Sequence, residues 1–251
     1  MKHEKLVRMT RNKPQRNISI VIPVYNEEES IKPLVSELQE VLKGIKKSFE
    51  IIFVDDGSRD RSFTILKEAA SYDPQIRLIR FKRNAGQTAA FDAGFKAAQG
   101  DIVVTMDADL QNDPHDITRL LGKIGSFDVV CGWRHKRKDP WIKIVSSKIA
   151  NFVRNKLSQE EIADTGCSLK AFKRECLKNM KLFNGMHRFL PTLAKMEGFT
   201  VAQVKVNHRP RRFGRTKYNI RNRMVRAFAD LLAVRWMKKR HLTYDVKETI
   251  R

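Results

Sequence analysis

Short β-branched runs recur along the first half of the chain, each followed by a polar cluster and then by apolar residues at helical spacing. Ile18-Ser19-Ile20-Val21-Ile22 is stopped by Pro23 and reads as a buried strand. Asn26 is the expected cap of the next helix, with Glu27, Glu28 and Glu29 at the positive end of its dipole. That helix keeps Ile31, Leu34, Val35, Leu38, Val41 and Leu42 on one side and should end near Gly44. A strand over 50–54 follows, and Asp60 is placed to cap a helix over 62–71. Strands over 76–81, 101–106 and 128–131 alternate with helices over 86–98 and from Pro114 to Ile124. This alternation predicts an α/β fold: a mostly parallel central sheet with helices on both faces. Ligands of such sheets collect beyond the carboxyl ends of the strands. The polar clusters at 23–27, 55–60 and 107–111 all follow strands and should therefore meet in one cleft.

Beyond residue 133 the pattern changes. Residues 134–157 mix Trp141, Ile144, Val145, Ile149, Phe152 and Val153 with lysine and arginine. A second basic amphipathic helix is expected over 220–239, with Met224, Phe228, Leu231, Leu232 and Trp236 beside six cations, Arg221, Arg223, Arg226, Arg235, Lys238 and Lys239. Each has a plain reading as a helix with one face on the core. Each also fits an amphipathic helix lying on an anionic membrane surface, the reading favoured for 220–239. The expected organisation is a basic N-terminal arm over 1–17, one α/β domain over 18–219, and a C-terminal helix and tail over 220–251. No apolar run reaches the roughly 18 residues a membrane-spanning helix needs.

Composition adds a charge argument. The 251 residues carry 50 Lys+Arg against 28 Asp+Glu, a formal net charge of +22, which favours anionic partners. Nucleic acid is the obvious rival partner, but the acidic clusters at strand ends would repel a polyanion, and no nucleic-acid-binding motif is present. Three widely spaced cysteines, Cys131, Cys167 and Cys176, form neither a C-x-x-C pair nor an even disulfide set, so reduced thiols are expected. The first strand lacks G-x-G-x-x-G, which argues against a dinucleotide oxidoreductase.

Candidate chemistry sits in the strand-end clusters. Asp107-Ala108-Asp109 could be a solvated loop or a pair of carboxylates turned towards one hard cation such as Mg²⁺ or Mn²⁺. Asp55-Asp56-Gly57-Ser58 could be a turn or a carboxylate receiving the N–H of a base. Pro23-Val24-Tyr25-Asn26-Glu27 could be only a strand end and a helix cap. Among the histidines, His115 fits a solvated helix start, and His187 fits core contact better than a place at a ligand.

In this order, "VIPVYNEEESI", "FVDDGSRDRS", "RNAGQTAAFDAGFKAAQGD" and "MDADLQNDP" resemble the family 2 inverting glycosyltransferases over residues 18–135. The resemblance implies the GT-A fold, with Pro23, Tyr25, Glu27 and Asp55 around the nucleoside. It implies that Asp107 and Asp109 hold the diphosphate through Mg²⁺ or Mn²⁺, supported by Gln111. Further on, "GWRHKR", "DTGCSLKAFKRE" and "HRPRRFGRTKY" resemble the branch that includes dolichyl-phosphate mannose synthase and bacterial undecaprenyl-phosphate glycosyltransferases. By that likeness Arg134 and Arg211 contact acceptor or leaving phosphates, Lys217 lies nearby, and Asp164 stands by the acceptor. Ser168-Leu169-Lys170 departs from the Phe-Arg pair usual there, and Arg212 and Arg215 leave the choice of Arg211 among its neighbours open. The implied activity is inverting transfer from a nucleotide-sugar, a UDP-sugar ahead of GDP-mannose, to a polyprenyl phosphate. A hydroxyl acceptor is the alternative. The implied setting is the cytoplasmic face of a membrane, peripherally bound, with room for a membrane-spanning partner or self-association.

Overall fold

The computed structural model describes residues 17–134, 162–213, 220–242, 244 and 246–250, and side chains of the last helix from residue 228 onward. The expected arm, the helix over 134–157 from residue 135 on, and Lys217 lie outside them.

Seven strands form one sheet: β1 (Ile18–Val24), β2 (Phe49–Asp55), β3 (Ile76–Arg80), β4 (Ile102–Thr105), β5 (Val129–Arg134), β6 (Lys170–Lys173) and β7 (Val201–Val206). Their order is β3-β2-β1-β4-β6-β5-β7. All pairs are parallel except those of β6, which runs antiparallel to both β4 and β5. The helices are α1 (Glu28–Gly44), α2 (Ser62–Tyr72), α3 (Gln87–Ala97), α4 (Ile117–Leu121), α5 (Glu175–Lys178), α6 (Leu190–Met196) and α7 (Ile220–Lys239).

Strand alternation divides the core into two layers. Ile18, Ile20, Ile22, Ile51 and Phe53 meet Ile31, Leu34 and Leu38 of α1, Leu66 of α2 and Leu120 of α4. Val21, Ile52, Val54 and Phe172 meet Ala90 and Phe91 of α3, Cys176 of α5, and Leu190 and Ala194 of α6. α3 lies so close to β1 that a Cβ on Gly94 would stand 2.2 Å from Val21 Cγ1. The three cysteines are free and buried.

Two flips by β6 keep β4 and β5 parallel. The carboxyl ends of β1, β2, β4, β5 and β7 therefore share one sheet edge, and the segment entering β6 starts from that same edge. Segments 23–27, 55–60, 107–112, 162–169 and 207–211 are brought together this way.

Several local expectations are corrected. Asn26 does not cap α1; Glu27 occupies the cap position. Asn26 is left-handed (φ 51°) and its side chain accepts from Arg59 N at 2.8 Å, tying the first loop to the second. Such a turn suits asparagine, whose short polar side chain tolerates this region. Asp60 serves two helices: Oδ1 accepts from Ser62 N at 2.9 Å and Oδ2 from Glu28 N at 3.2 Å. The expected helix from Pro114 is a 3-10 turn (Pro114–Asp116) leading into the shorter α4. β5 continues to Arg134 rather than ending at Cys131, and β6 and β7 were not expected.

α7 is apolar on two opposed faces. Leu231 and Val234 pack on Met186, Phe189 and Leu193, while Phe228, Leu232 and Trp236 are exposed at four-residue spacing. Among the described residues no helix is long and apolar enough to cross a membrane.

Candidate functional site

The second loop is held shut by Asp56. Its carboxylate accepts from Asn84 Nδ2 at 2.8 Å, Ala85 N at 2.6 Å and Gly86 N at 2.9 Å, latching the loop before α3 onto the end of β2. Burial pushes the Asp56 carboxyl above its ordinary value, against the downward pull of the two amides. Gly57 is left-handed (φ 71°), and a Cβ there would meet Arg83 C at 2.6 Å, so only glycine lets these two loops touch. Between them lies an open cleft of about 520 Å³ lined by Tyr25, Gly57, Ser58, Arg59, Arg80, Phe81, Lys82, Arg83 and Asn84.

Asp55, at the end of β2, is 1 % exposed and adjoins two of these lining residues, Ser58 and Arg80. Its Oδ1 accepts from Ser58 N at 3.1 Å. Its Oδ2 accepts no hydrogen bond among the described residues, although Arg80 Nε stands 3.3 Å away. Arg80 is itself stacked 4.0 Å over the Phe63 ring. A buried carboxylate oxygen with spare accepting capacity is suited to an N–H from a bound molecule. Pro23 sits within β1 opposite Val54, and Glu27 N donates to Ser62 Oγ at 2.8 Å.

The third loop carries the carboxylate pair. Gln87 Nε2, at the start of α3, donates to Asp107 Oδ1 at 2.7 Å. Asn112 Oδ1 accepts from Asp107 N at 3.3 Å and from Ser168 Oγ at 2.8 Å, pinning the loop to the segment before β6. Leu110 is left-handed (φ 60°), and Gln111 N turns back onto Asp109 Oδ1 at 3.2 Å. The Asp107 carboxyl is pushed up to about 6, first by burial and then by the charge of Asp109; Lys170 and Arg134 pull the other way. Lys170 is 3 % exposed and donates Nζ to Cys167 O.

Two arginines meet this centre differently. Arg134, at the end of β5, grips Asp164 with Nε–Oδ2 at 2.6 Å and Nη2–Oδ1 at 2.9 Å. Burial works against the charged guanidinium, but these hydrogen bonds outweigh it and hold Arg134 above its ordinary value. Arg211, after β7, places Nη2 2.8 Å from Asp109 Oδ2 and Nη1 3.7 Å from Glu27 Oε1. Arg209 is committed elsewhere, to Glu37 at 2.7 Å and Asp113 at 2.9 Å, and Arg212 is exposed. Of the described arginines in that block, Arg211 is the one that reaches the carboxylate pair.

The structure thus gathers Glu27, Asp107, Asp109 and Arg211, with Arg134 and Asp164 beside them and the Asp55 cleft next door. Gln111 joins through its backbone. His187 lies away on the α3 side, Nδ1 2.8 Å from Thr88 Oγ1, and His115 pairs with Asp113 at the surface. Sequence reasoning missed Gln87, Asn112, Lys170 and the Asp56 latch.

A parallel sheet with acidic strand-end loops beside a cationic cleft defines a protein of the nucleotide-binding, α/β transferase class. The chain matches Glycosyl transferase family 2 over residues 19–180 and belongs to that family. It is 40% identical over 220 residues to an undecaprenyl-phosphate 4-deoxy-4-formamido-L-arabinose transferase of Pectobacterium atrosepticum, covering 86% of this chain and 67% of that one. It is 35% identical over 223 residues to a dodecaprenyl-phosphate galacturonate synthase of Rhizobium johnstonii, covering 86% and 66%. The chain thus spans about two thirds of the length of these relatives. Glucosyl-3-phosphoglycerate synthase from Mycobacterium tuberculosis, solved with Mn²⁺, UDP and phosphoglyceric acid, superposes with a TM-score of 0.69 at 20% identity. That superposition covers 91% of this chain and 80% of that one, and establishes the GT-A fold.

Because Asp56 satisfies three donors at once, Asp56→Ala should cost about 2–3 kcal/mol in urea unfolding. Asp56→Asn, which retains one acceptor oxygen, should fall between it and the wild type.

Proposed function

We propose that this glycosyltransferase moves a sugar from a nucleotide-sugar onto a polyprenyl phosphate in one in-line displacement with inversion. The observation that carries the acceptor class is the Arg134–Asp164 clamp. Both Asp164 oxygens are engaged by one guanidinium, which makes the carboxylate a poor proton acceptor. A sugar hydroxyl would need a general base, whereas a phosphate monoester is already anionic and attacks without one. Arg134 and Arg211 supply planar forks suited to phosphate oxygens. The printed activities of the two bacterial relatives, each acting with a polyprenyl phosphate, point the same way.

On the donor side, Asp55 Oδ2 is available to a base N–H, with Tyr25 and Pro23 beside the nucleoside and Glu27 near the phosphates. A UDP-sugar is favoured over GDP-mannose, in keeping with the UDP in the structural neighbour. Asp107 and Asp109 suit a hard divalent cation: the donors are all oxygen, and burial followed by the charge of Asp109 pushes Asp107 up to about 6, so a cation there would be welcome. Among the described residues no third His, Cys, Asp or Glu joins them, so diphosphate oxygens and water would complete the shell. Mg²⁺ or Mn²⁺ bound there, with Gln111 in support, would take up the charge of the leaving diphosphate. Gln87 and Asn112 orient the Asp107 loop for that task. Lys217, six residues beyond Arg211, would add charge near the phosphates.

Such an acceptor is met at a membrane surface. The exposed Phe228–Leu232–Trp236 stripe of α7, flanked by Arg235 and Lys239, fits peripheral attachment to the anionic cytoplasmic face, alone or with a membrane-spanning partner.

Incubated with radiolabelled nucleotide-sugars, Mg²⁺ or Mn²⁺ and undecaprenyl phosphate, the protein should carry label into the organic phase with inverted anomeric configuration. Asp109→Ala should reduce this by about a thousandfold or more. Label passing only to water-soluble hydroxyl acceptors, or a retained anomer, refutes the proposal. Independently, the protein should float with liposomes containing anionic lipid, and Trp236→Ala together with Phe228→Ala should weaken flotation severalfold. Equal flotation of the double variant contradicts the α7 assignment.

A further inference from the structure

Arg211 stands where a metal's charge would be needed. Its Nη2 lies 2.8 Å from Asp109 Oδ2 and its Nη1 3.7 Å from Glu27 Oε1, while Asp109 Oδ1 is occupied by Gln111 N. The outward oxygen of Asp109 is therefore covered by a guanidinium. The loop that delivers it is anchored short of Arg211. Asn207 N donates to Asp116 Oδ2 at 2.6 Å, Arg209 N to Gln111 O at 3.0 Å, and the Arg209 side chain is fixed on Glu37 and Asp113. Arg211 is two residues beyond the last of these ties, and its side chain keeps 29% of its exposure. It can leave without dismantling the loop.

We infer that Arg211 is an exchangeable counter-ion: it neutralises Asp109 in the empty enzyme, yields that oxygen to the divalent metal, and then pairs with phosphate. This rests on the donor and metal reading above and extends it to the order of events. Glu27 and Asp109 both face this one guanidinium, and a +2 ion arriving with a doubly charged diphosphate adds no net charge, so the exchange keeps the local balance only if the released guanidinium pairs with phosphate. Metal arriving alone must displace Arg211 with no anion to receive it. Metal arriving with a diphosphate gives the released guanidinium a partner. Metal and nucleotide should therefore bind cooperatively, with Arg211 carrying the coupling, and the acceptor phosphate should follow them. Lys170 cannot play this part, since it is buried behind the pair and held on Cys167 O.

The test is Mn²⁺ binding followed by electron paramagnetic resonance on the full chain, with no sugar donor or acceptor present. Arg211→Ala should bind Mn²⁺ alone about tenfold more tightly than wild type, equivalent to about 1.4 kcal/mol. Arg211→Lys should be intermediate, and Arg212→Ala unchanged. Adding UDP should tighten Mn²⁺ binding in the wild type by a larger factor than in Arg211→Ala. Unchanged or weaker Mn²⁺ binding in a folded Arg211→Ala, checked by circular dichroism, overturns the exchange, as does an equal effect of UDP in both proteins. If Asp109→Ala binds Mn²⁺ as well as wild type, the metal assignment falls, and the exchange with it. If neither UDP nor GDP binds the wild type, the donor reading fails while the Mn²⁺-only comparison still decides the exchange.

Discussion

Two carboxylates stand two residues apart at the end of β4, and burial together with the charge of Asp109 pushes Asp107 up to about 6. Nearly everything else at this sheet edge answers that constraint. Gln87 donates to one oxygen of Asp107, Asn112 fixes its backbone, Lys170 supplies a buried positive charge behind it, and Arg211 covers Asp109. These contacts come from four separate parts of the chain. The sheet order brings them together, because the antiparallel β6 lets the segment before it enter at the edge where the parallel strands end.

The charged groups of this edge differ in how fully they are engaged. Asp56 and Arg209 are fully engaged in holding loops, with three donors on one and two carboxylates on the other. Asp55 Oδ2, by contrast, has accepting capacity to spare, and Arg211 keeps part of its exposure. Arg134 and Asp164 are paired with each other.

Much of this was legible in the sequence, for identifiable reasons. β1, β2 and β4 are mostly apolar runs, broken by few polar residues such as Ser19 and Glu50, so they stand out, and the acidic clusters at the ends of β2 and β4 point to one sheet edge. β6 was hidden because Lys170 and Lys173 bound a strand of only four residues, and its direction depends on tertiary order. β7, V-A-Q-V-K-V, carries three valines, but it is a half-exposed edge strand whose place beside β5 depends on tertiary order. Asn26 misled because a helix cap and a left-handed turn favour the same residue type. Gln87 meets Asp107 from 20 residues away, a relation no local pattern contains. The arginine block left Arg211 open against Arg212 and Arg215; its approach to Asp109 and Glu27 sets Arg211 apart from the exposed Arg212, while Arg215 lies outside the described residues. α7 was legible in full extent, Ile220–Lys239, whereas the side that packs on Met186, Phe189 and Leu193 depends on tertiary order.

The central claim is that the Asp107–Asp109 pair binds a divalent ion that also holds the donor's diphosphate. Electron–nuclear double resonance on Mn²⁺ with UDP measures this directly, through the coupling between the metal and phosphorus. The account predicts a ³¹P coupling of the size expected for phosphate oxygen bound to Mn²⁺ in the wild type, lost in Asp109→Asn. Mn²⁺ bound to the protein with no ³¹P coupling, or a coupling that survives Asp109→Asn unchanged, would contradict it.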